Sequence, residues 1–473
     1  MEIKFKQGMD KDQEFLFPKK LSEYLPDSHL AKAIDEIVDK LDLSKIIEKY
    51  SGLGQHAYNP KMMVSLLFYG YSVGVRSSRK ISIGCEERFD FAFLSDGFNP
   101  SHDRISDFRK DNIAELKDIF KTIVLIGSNL GLVKLGDIKV SIDGAKIKAN
   151  ASSKLTKDED GLLKLLENTE NEINAILKEA KNIDDEEDKK YGKENRGDEL
   201  PEALRSKLSR KIAIEKAYEK LLTQKEEMRR NIKEQFEREP AKAEEKKIDK
   251  AKINVTDNDA NFMKERNGVI RPNYNSQISV DEKKQFIVAN GVTMECTDAY
   301  QLVPMLEKTR ENIKEDPKSA KADNGYFPQL ELAKKSFQKV DLYVDDRNRR
   351  KENLNMKEIK EKYSKIKYEN LKKLLTKKGG KEYKKRMHTA EPPFGNIKHN
   401  LGYRYFLLRG IEKVQGEFNL MCIGHNINKI YSFIQKKNKN IAIALANMGK
   451  TKGFEENMQI NSGINGQVLS IVR

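Results

Sequence analysis

The sequence has few of the residues that build disulfide frameworks or metal clusters. Only three of its 473 residues are cysteines, Cys85, Cys296 and Cys422, and none stands in a CxxC pair. Its six histidines do not cluster with acids or cysteines. This composition argues against a disulfide-stabilised domain and against a zinc or histidine-based metal site, and it favours a reducing compartment.

Long apolar runs and nucleotide-binding motifs are missing as well. The most apolar stretch, residues 62–75, is shorter than the ~20 residues that a membrane-spanning helix needs. The first ten residues, MEIKFKQGMD, lack the apolar core of a signal peptide. No GxxxxGK(S/T) run occurs, so ATP is not expected as a partner. From these absences we expect a cytoplasmic protein that does not enter a membrane.

Positive charge, in contrast, is in excess. Lysines and arginines number 89 against 74 aspartates and glutamates, which gives a net charge of +15 and a pI near 9.2. Such an excess suits a polyanionic partner, nucleic acid first and an anionic membrane second. A general abundance of lysine would give the same balance, so charge alone does not decide. The length predicts two to four structural units.

The first 135 residues have the pattern of a helical domain. Pro60 stands where a helix begins, and an apolar face follows it. A second helix is expected from near Ser101 to residue 120, and its polar face would expose Arg104, Arg109 and Lys110. Two such helices could place one of them in a DNA groove. A small helical bundle with solvated charges is the alternative from this stretch alone.

The rest of the chain predicts a mixed sheet interrupted by a long insertion. Apolar residues alternate over 138–142, as in a strand that meets a turn at Asp143-Gly144. Residues 154–250 predict an antiparallel helical hairpin, because their apolar residues follow a four-three spacing on either side of a polar break. Its nearly balanced charge favours a scaffold or dimerisation arm.

Further strands are expected at residues 275–280 and 285–293, joined by DEKK, then at a segment ending at Asp323, and at 340–344. Helices lie between them, Glu391 falls on a helical stretch, and a firmer helix covers residues 416–435. The fold class is therefore α/β.

Three acids at the ends of such elements could meet although they are remote in sequence. A mixed sheet flanked by helices can unite Asp143, Asp323 and Glu391. Converging carboxylates repel one another unless cations neutralise them, and Mg²⁺ and Mn²⁺ prefer oxygen ligands. Two ions ~4 Å apart would stabilise the attacking and leaving oxygens of a displacement at phosphorus. Spacing alone leaves other acids near strand ends open as candidates: Asp281, Asp298, Asp345 and Asp346.

Four segments carry a resemblance to a known family. They are VSIDGAKIKANAS (140–152), PNYNSQISVDEKKQFIVANGVT (272–293), KADNGYF (321–327) and EPPFGNIKHNLGYRYFLLRG (391–410). They resemble the conserved blocks of bacterial insertion-sequence DDE transposases, most closely the branch with a helical N-terminal domain and a long helical insert. Residues 58–110 are similar to the N-terminal domain of that branch.

The resemblance implies a site and a fold. It places the catalytic, metal-binding acids at Asp143, Asp323 and Glu391, with two Mg²⁺ or Mn²⁺ ions per site, in an RNase H-like sheet. Related transposases carry a Tyr-x2-Arg-x3-Glu-x6-Lys pattern, and here Glu391 and Lys398 keep the six-residue gap. Arg386 is a candidate DNA contact in this pattern, but four residues instead of three separate it from Glu391, which puts that role in question.

Further DNA contacts are expected around this pattern. Lys398 could contact a backbone phosphate, and Asn324 could orient DNA or a metal-bound water, although a turn role is simpler for it. Arg404 and Arg409, with interleaved aromatics, could combine phosphate contacts with stacking on a base. The aromatic residues could equally pack on the sheet, which is the expected role of Phe406.

The sequence thus predicts four parts. Residues 1–135 form a helical DNA-binding domain, residues 136–153 and 251–436 an RNase H-like catalytic domain, 154–250 the helical insertion and 437–473 a polar tail. The expected function is that of a transposase at the bacterial nucleoid. It would bind terminal inverted repeats and target DNA as a homodimer or larger synaptic assembly, and cleave and transfer strands without ATP. A catalytically inactive, transposase-derived DNA-binding protein and an RNase H-like nuclease remain alternatives.

Overall fold

The computed structural model describes residues 20–50, 56–191, 202–351 and 354–437. The polar tail expected over residues 437–473 therefore lies outside the described residues, except for Lys437. Within the described ranges, none of the helices combines the length and the apolar character needed to cross a membrane.

The N-terminal part of the described chain is helical, as expected. After a short 3₁₀ turn at Leu21–Tyr24, its helices are α1 (Leu30–Val38), α2 (Ser44–Ile47), α3 (Pro60–Ser72), α4 (Ser78–Glu87), α5 (Phe89–Leu94), α6 (His102–Asp111) and α7 (Ile113–Asn129). Helix α3 begins at Pro60, where the Asn59 side chain accepts a hydrogen bond of 2.9 Å from the Lys61 amide. The second predicted helix is divided, because Asn112 leaves the helical conformation between α6 and α7.

The strands form one six-stranded sheet and one small ribbon. They are β1 (Lys139–Lys148), β2 (Thr156–Lys157), β3 (Ile253–Asn254), β4 (Asn261–Lys264), β5 (Ile270–Asp281), β6 (Ile287–Thr293), β7 (Ser319–Ala322) and β8 (Asp341–Val344). The main sheet has the order β4-β5-β1-β7-β8, and β6 also pairs with β5. Strands β4, β6 and β1 lie antiparallel to β5, whereas β1, β7 and β8 are parallel to one another. The mixed α/β sheet fits the RNase H-like expectation.

The end of the first strand differs from the prediction. We expected β1 to stop at Asp143-Gly144, but it continues to Lys148. The reason is the long neighbouring strand, since antiparallel pairing with β5 runs from Val140 opposite Asp281 to Lys148 opposite Asn273. Asp143 therefore lies in the middle of a strand.

The inserted segment is a helical hairpin. It contains α8 (Glu159–Tyr191), α9 (Glu202–Phe236) and α10 (Lys242–Asp249). Lys225 pairs with Glu159, and Lys207 pairs with Glu172, so α8 and α9 run antiparallel. Leu162, Ile214 and Leu221 form a small buried cluster at the base. The predicted polar break falls partly within α8 and partly outside the described residues.

The remaining helices cover the sheet. They are α11 (Leu302–Ile313), α12 (Leu330–Ser336), α13 (Met356–Lys362), α14 (Lys365–Leu375), α15 (Lys377–Gly395) and α16 (Ile411–Lys436), with 3₁₀ turns at Asn324–Gln329 and Arg347–Arg350 and a π-helical turn at Asn396–Asn400. Helix α16 packs between α3 and α7 on one side and β6 on the other. At Gly424 an added Cβ would overlap the Tyr71 carbonyl oxygen, so glycine permits the close approach of α16 to α3.

A buried ion pair joins the N-terminal helices to the sheet region. The Glu417 carboxylate on α16 accepts a hydrogen bond of 3.0 Å from Arg76 Nη1 and further bonds from the amides of Leu407 and Leu408. Burial raises the pKa of Glu417, and the Arg76 charge opposes that shift. The pair therefore fixes the segment before α16 against the N-terminal helices.

The expectation that Arg109 is exposed on α6 is wrong. Its side chain is buried, and Nη1 donates to the Tyr71 hydroxyl at 3.2 Å and to the Arg76 carbonyl at 3.1 Å. These bonds come from residues that are remote in sequence, so the helical pattern of α6 alone did not reveal them. Arg109 supports the Arg76 segment and does not face solvent.

We predict that Glu417→Ala lowers the free energy of unfolding by about 3–5 kcal/mol, because Arg76 would stay buried without its partner. Denaturation by urea, followed by circular dichroism, measures the change. The matched control is Glu412→Ala at the exposed start of the same helix, with an expected loss below about 1 kcal/mol. Equal losses in the two variants would contradict the structural role of the pair.

Candidate active site

Two of the predicted acids are brought together by the strand register. In the parallel pair of β1 and β7, Ser141 lies opposite Lys321. Asp143 and Asp323 each follow two residues later, so they continue the same alignment just beyond the end of β7. Side chains two residues apart on a strand point to the same face. The pairing therefore places both carboxylates side by side at one edge of the parallel strands.

Glu391 and Lys398 line the same cleft as the two aspartates. The cleft has a volume of about 670 Å³ and is bounded by β1, the β4–β5 turn, the end of β7, and the last turns of α15 with the π-helical turn. Glu391, Gly395 and Lys398 recur at helical spacing along this wall. The structure thus brings the three predicted acids and the predicted phosphate-binding lysine to one cavity.

Arg386 contacts the first aspartate. Its Nη1 lies 3.2 Å from Asp143 Oδ1, and both side chains are largely buried. Burial raises the pKa of Asp143 to about 6, with the Asp323 charge adding to the rise and Arg386 opposing it. Burial also raises the pKa of Asp323, and Arg386 again opposes the rise. Arg386 therefore favours the ionised form of both acids.

A second ion pair fixes the helix that carries Glu391. Lys321 of β7 is fully buried, 3.1 Å from Glu382 of α15, and it also contacts Glu282. Glu382 and Arg386 stand one turn apart on α15. The helix is thereby attached to β7 through one ion pair and to β1 through the other. This attachment determines which face of α15 lies along the cleft.

Lys398 is held at the cleft wall by the backbone. Its Nζ donates a hydrogen bond of 2.6 Å to the Lys146 carbonyl. Burial lowers the pKa of Lys398 to about 8. A buried ammonium next to a cleft is stabilised when an anion enters, so the position suits contact with a phosphate group.

The acids fit a divalent cation by their chemistry. Asp143 and Asp323 offer adjacent oxygen ligands of the kind that Mg²⁺ and Mn²⁺ prefer, and Glu391 lies in the same cleft. In the part of the chain that the structure describes, however, no three acidic, histidine or cysteine side chains are close enough to hold one ion together. Positive charge beside Asp143 comes instead from Arg386.

Sequence reasoning had named Asp298 only as one of several acids near strand ends. Its Oδ1 accepts hydrogen bonds of 2.7 Å from both Asn275 and Gln277, and Lys146 lies 3.6 Å away. A Cβ at Gly144 would overlap the Gln277 amide, so glycine after Asp143 is needed for this arrangement. Asp298 lines the cleft beside Asp323 without being one of the three predicted acids.

Other cleft residues were not predicted. The β4–β5 turn contributes Lys264, Glu265, Arg266 and Asn267, and His399 follows Lys398. The Asn267-Gly268 pair predicts a turn, but no local pattern in the sequence shows that this turn lies opposite Asp143.

The remaining candidate DNA contacts lie on the surface outside the cleft lining. Arg404 and Arg409 are exposed, and Arg409 donates to the Asn150 carbonyl at 3.0 Å. Arg104 and Lys110 are exposed on α6, where Lys110 pairs with Asp107. Asn324 begins the 3₁₀ turn after Asp323, and its side-chain oxygen accepts from the amide of Arg347, which follows β8.

The aromatics around Arg404 are mostly part of the core. Phe406 is fully buried, as expected, and Tyr403 is buried as well. Tyr405 is 48% exposed, and the Arg76 guanidinium stacks 4.5 Å from its ring centre. Within this segment only Tyr405 therefore presents an aromatic face near the surface.

Comparison with known families gave two matches. The family model described as Transposase domain (DUF772) matches residues 19–111, which cover α1 to α6. The model described as Transposase DDE domain matches residues 346–431, which include Arg386, Glu391 and Lys398 but neither Asp143 nor Asp323. Searches of curated proteins and of solved structures gave no match. The two matched regions are similar to transposase domains, and together they support an insertion-sequence DDE transposase.

Proposed function

We propose that the chain binds the terminal inverted repeats of its insertion sequence, cleaves the DNA there and joins the freed ends to target DNA. The observation that supports this most is the shared cleft. Asp143 and Asp323 follow matched positions of two parallel strands, and Glu391 and Lys398 face them from a helix within the matched transposase domain.

In this proposal Asp143, Asp323 and Glu391 are the ligands of two Mg²⁺ or Mn²⁺ ions. Bound there, the ions would activate water and stabilise the attacking and leaving oxygens of the phosphodiester exchange. The Arg386 charge lowers the pKa of both aspartates and so favours their ionised form. This matters because a carboxylate must be deprotonated to bind a metal. Lys398 contacts a backbone phosphate beside the scissile bond. Each step exchanges or hydrolyses one phosphodiester, so ATP is not needed.

Recognition of the ends falls to the N-terminal helices. Arg104 and Lys110 on α6 are exposed and can reach DNA, whereas the buried Arg109 bonds to Tyr71 and the Arg76 carbonyl. Arg404 and Arg409 extend the positive surface beyond the cleft. Because two ends must be handled together, the working form is a homodimer or larger synaptic assembly, acting on DNA in the cytoplasm.

We predict that Asp143→Ala and Asp323→Ala each reduce cleavage below about one hundredth of the wild-type rate, because each removes an oxygen ligand of the ions. Nicking of a plasmid that carries the DNA flanking the gene on both sides is the measurement, with end binding followed by gel shift. End binding should remain nearly unchanged. Glu361→Ala, an exposed acid on α13, is the control and should cleave like wild type. Full cleavage by Asp143→Ala would remove that residue from the site.

We predict that cleavage by the wild-type chain stops when EDTA removes divalent ions and returns on addition of Mg²⁺ or Mn²⁺. The reason is that, in this proposal, Asp143, Asp323 and Glu391 of the shared cleft supply the oxygen ligands of the ions. The same plasmid assay serves as the measurement, with Mg²⁺ varied and ionic strength held constant. Cleavage at the full rate in EDTA would contradict a metal-dependent site.

We predict that Lys398 makes DNA affinity depend on pH. Its ammonium group is charged below its pKa of about 8 and neutral above it, so affinity should fall as the pH rises past 8, by up to about tenfold. Fluorescence anisotropy with an end duplex in EDTA, between pH 7 and 9.5, measures the change. Lys398→Arg keeps its charge over this range and should give a flatter profile. Superimposable profiles would remove Lys398 from the DNA contact.

A further inference from the structure

A second cavity lies behind the helix end that carries Glu391. It has a volume of about 670 Å³, like the cleft, and is lined by α16, the turn between β5 and β6, and the end of α15. Lys283, Lys284, Lys429 and Lys436 surround it, and its lining contains no aspartate or glutamate. We call this cavity the lysine pocket. A smaller neighbouring cavity shares Lys283 and Lys284 and adds Lys134, again without an acidic residue in its lining.

Two acids outside the lining, Asp137 and Asp281, compensate part of the charge of the lysine pocket. Lys283 is 3.6 Å from Asp137, which also pairs with Lys318, and Lys429 donates to the neutral Gln285 side chain at 3.0 Å. Burial lowers the pKa of Lys429, and the charge of Lys436 adds to the fall. An anion that entered the pocket would thus meet four lysine side chains and no acidic side chain in the lining.

The walls of the lysine pocket are joined by one buried histidine. His425 Nε2 lies 3.0 Å from the Gln285 carbonyl, and Nδ1 lies 3.1 Å from the Asn396 side chain. Burial lowers the pKa of His425 to about 4, so the ring is neutral at pH 7 and adds no charge. It links α16, the β5–β6 turn and the π-helical turn, and it gives the pocket a defined shape.

The pocket and the active-site cleft are two sides of one helix end. Pro392, Asn396 and Asn400 line the lysine pocket, whereas Glu391, Gly395 and His399 line the cleft. Adjacent residues, repeated every four positions, thus line the two cavities, and both cavities flank the same short segment.

We propose that the lysine pocket binds backbone phosphates of the same DNA whose scissile bond enters the cleft. The lysines, without nearby acids in the lining, cannot bind a divalent cation and select an anion. If the proposed transposase function holds, DNA enters the adjacent cleft, and its backbone phosphates are then the anions nearest to the lysine pocket. The contact is independent of base sequence and positions the duplex.

The test is the salt dependence of DNA binding. In the variant with Lys283, Lys284, Lys429 and Lys436 changed to Gln, the slope of log Kd against log salt should fall by about 3–4, and the affinity near 0.15 M salt by at least about tenfold. Fluorescence anisotropy in EDTA with an end duplex gives both values. The matched control carries the same four changes at exposed lysines of α10 and its end, Lys242, Lys246, Lys247 and Lys250. Its slope should change by less than about 1, and an equal loss in the control would overturn the proposal.

Two further experiments separate the loss of charge from changes in pocket shape or folding. The same four lysines changed to Arg should retain the wild-type slope, and a loss there would assign the effect to pocket shape. In the unmodified wild-type chain, duplex DNA should protect Lys283, Lys284 and Lys436 from acetylation, read by mass spectrometry. Absence of protection would overturn the proposal even if the variant fails to fold, and protection by inorganic phosphate alone would replace DNA with a small anion. These measurements need no metal. Absence of metal-dependent cleavage by the wild-type chain would therefore refute the proposed function, while the binding measurements would still decide whether the lysine pocket binds DNA.

Discussion

Ser141 of β1 pairs with Lys321 of β7, and this register decides where the candidate site lies. Asp143 and Asp323 stand two residues beyond the matched pair, so they share a face and an edge of the sheet. A shift by one residue would turn one carboxylate to the opposite face, and no side-chain movement could restore the pair. β1 continues to Lys148 with β5 after β7 has ended, which leaves Asp143 on a rigid strand but open on the β7 side. The site therefore depends on the end of β7 at Ala322 beside β1, which continues to Lys148.

Two neighbouring carboxylates need positive charge nearby. Arg386 supplies it and thereby links α15 to the sheet. Arg386 contacts Asp143, and Glu382, one turn earlier on α15, contacts the buried Lys321 of β7, two residues before Asp323. The same helix then carries Glu391 to the cleft. Helix α15 therefore both brings positive charge to the aspartates and positions the third acid. Removal of one partner from such a buried network leaves the other uncompensated, which makes the arrangement strongly dependent on each member.

Sequence patterns correctly predicted those helices whose starts and faces depend on capping and on apolar periodicity. Pro60 and Asn59 define the start of α3, and the apolar residues of α16 gave its helix, because capping and periodicity act within a few residues. The end of β1 at Asp143 and the exposure of Arg109 were predicted wrongly, since β5 pairing and the Tyr71 and Arg76 contacts come from remote segments. The three acids were singled out through family resemblance, and spacing alone did not separate them from Asp298. Arg266 in the cleft and the lysine pocket follow from tertiary packing, which no single-sequence pattern contains.

The two cavities differ in a way that bears on how DNA is held. In the cleft, Lys146 pairs with Asp298, and the acids of the lining outnumber its lysines and arginines. Such a cleft has little net attraction for a duplex until cations bind the acids. Affinity for DNA comes mainly from many separate phosphate contacts, each of modest strength. The lysine pocket and the exposed Arg404 and Arg409 can supply those contacts without competing for the metal ligands. Under the proposed function, the residues that hold the metal then differ from most of those that bind DNA without it, although both groups flank one helix end.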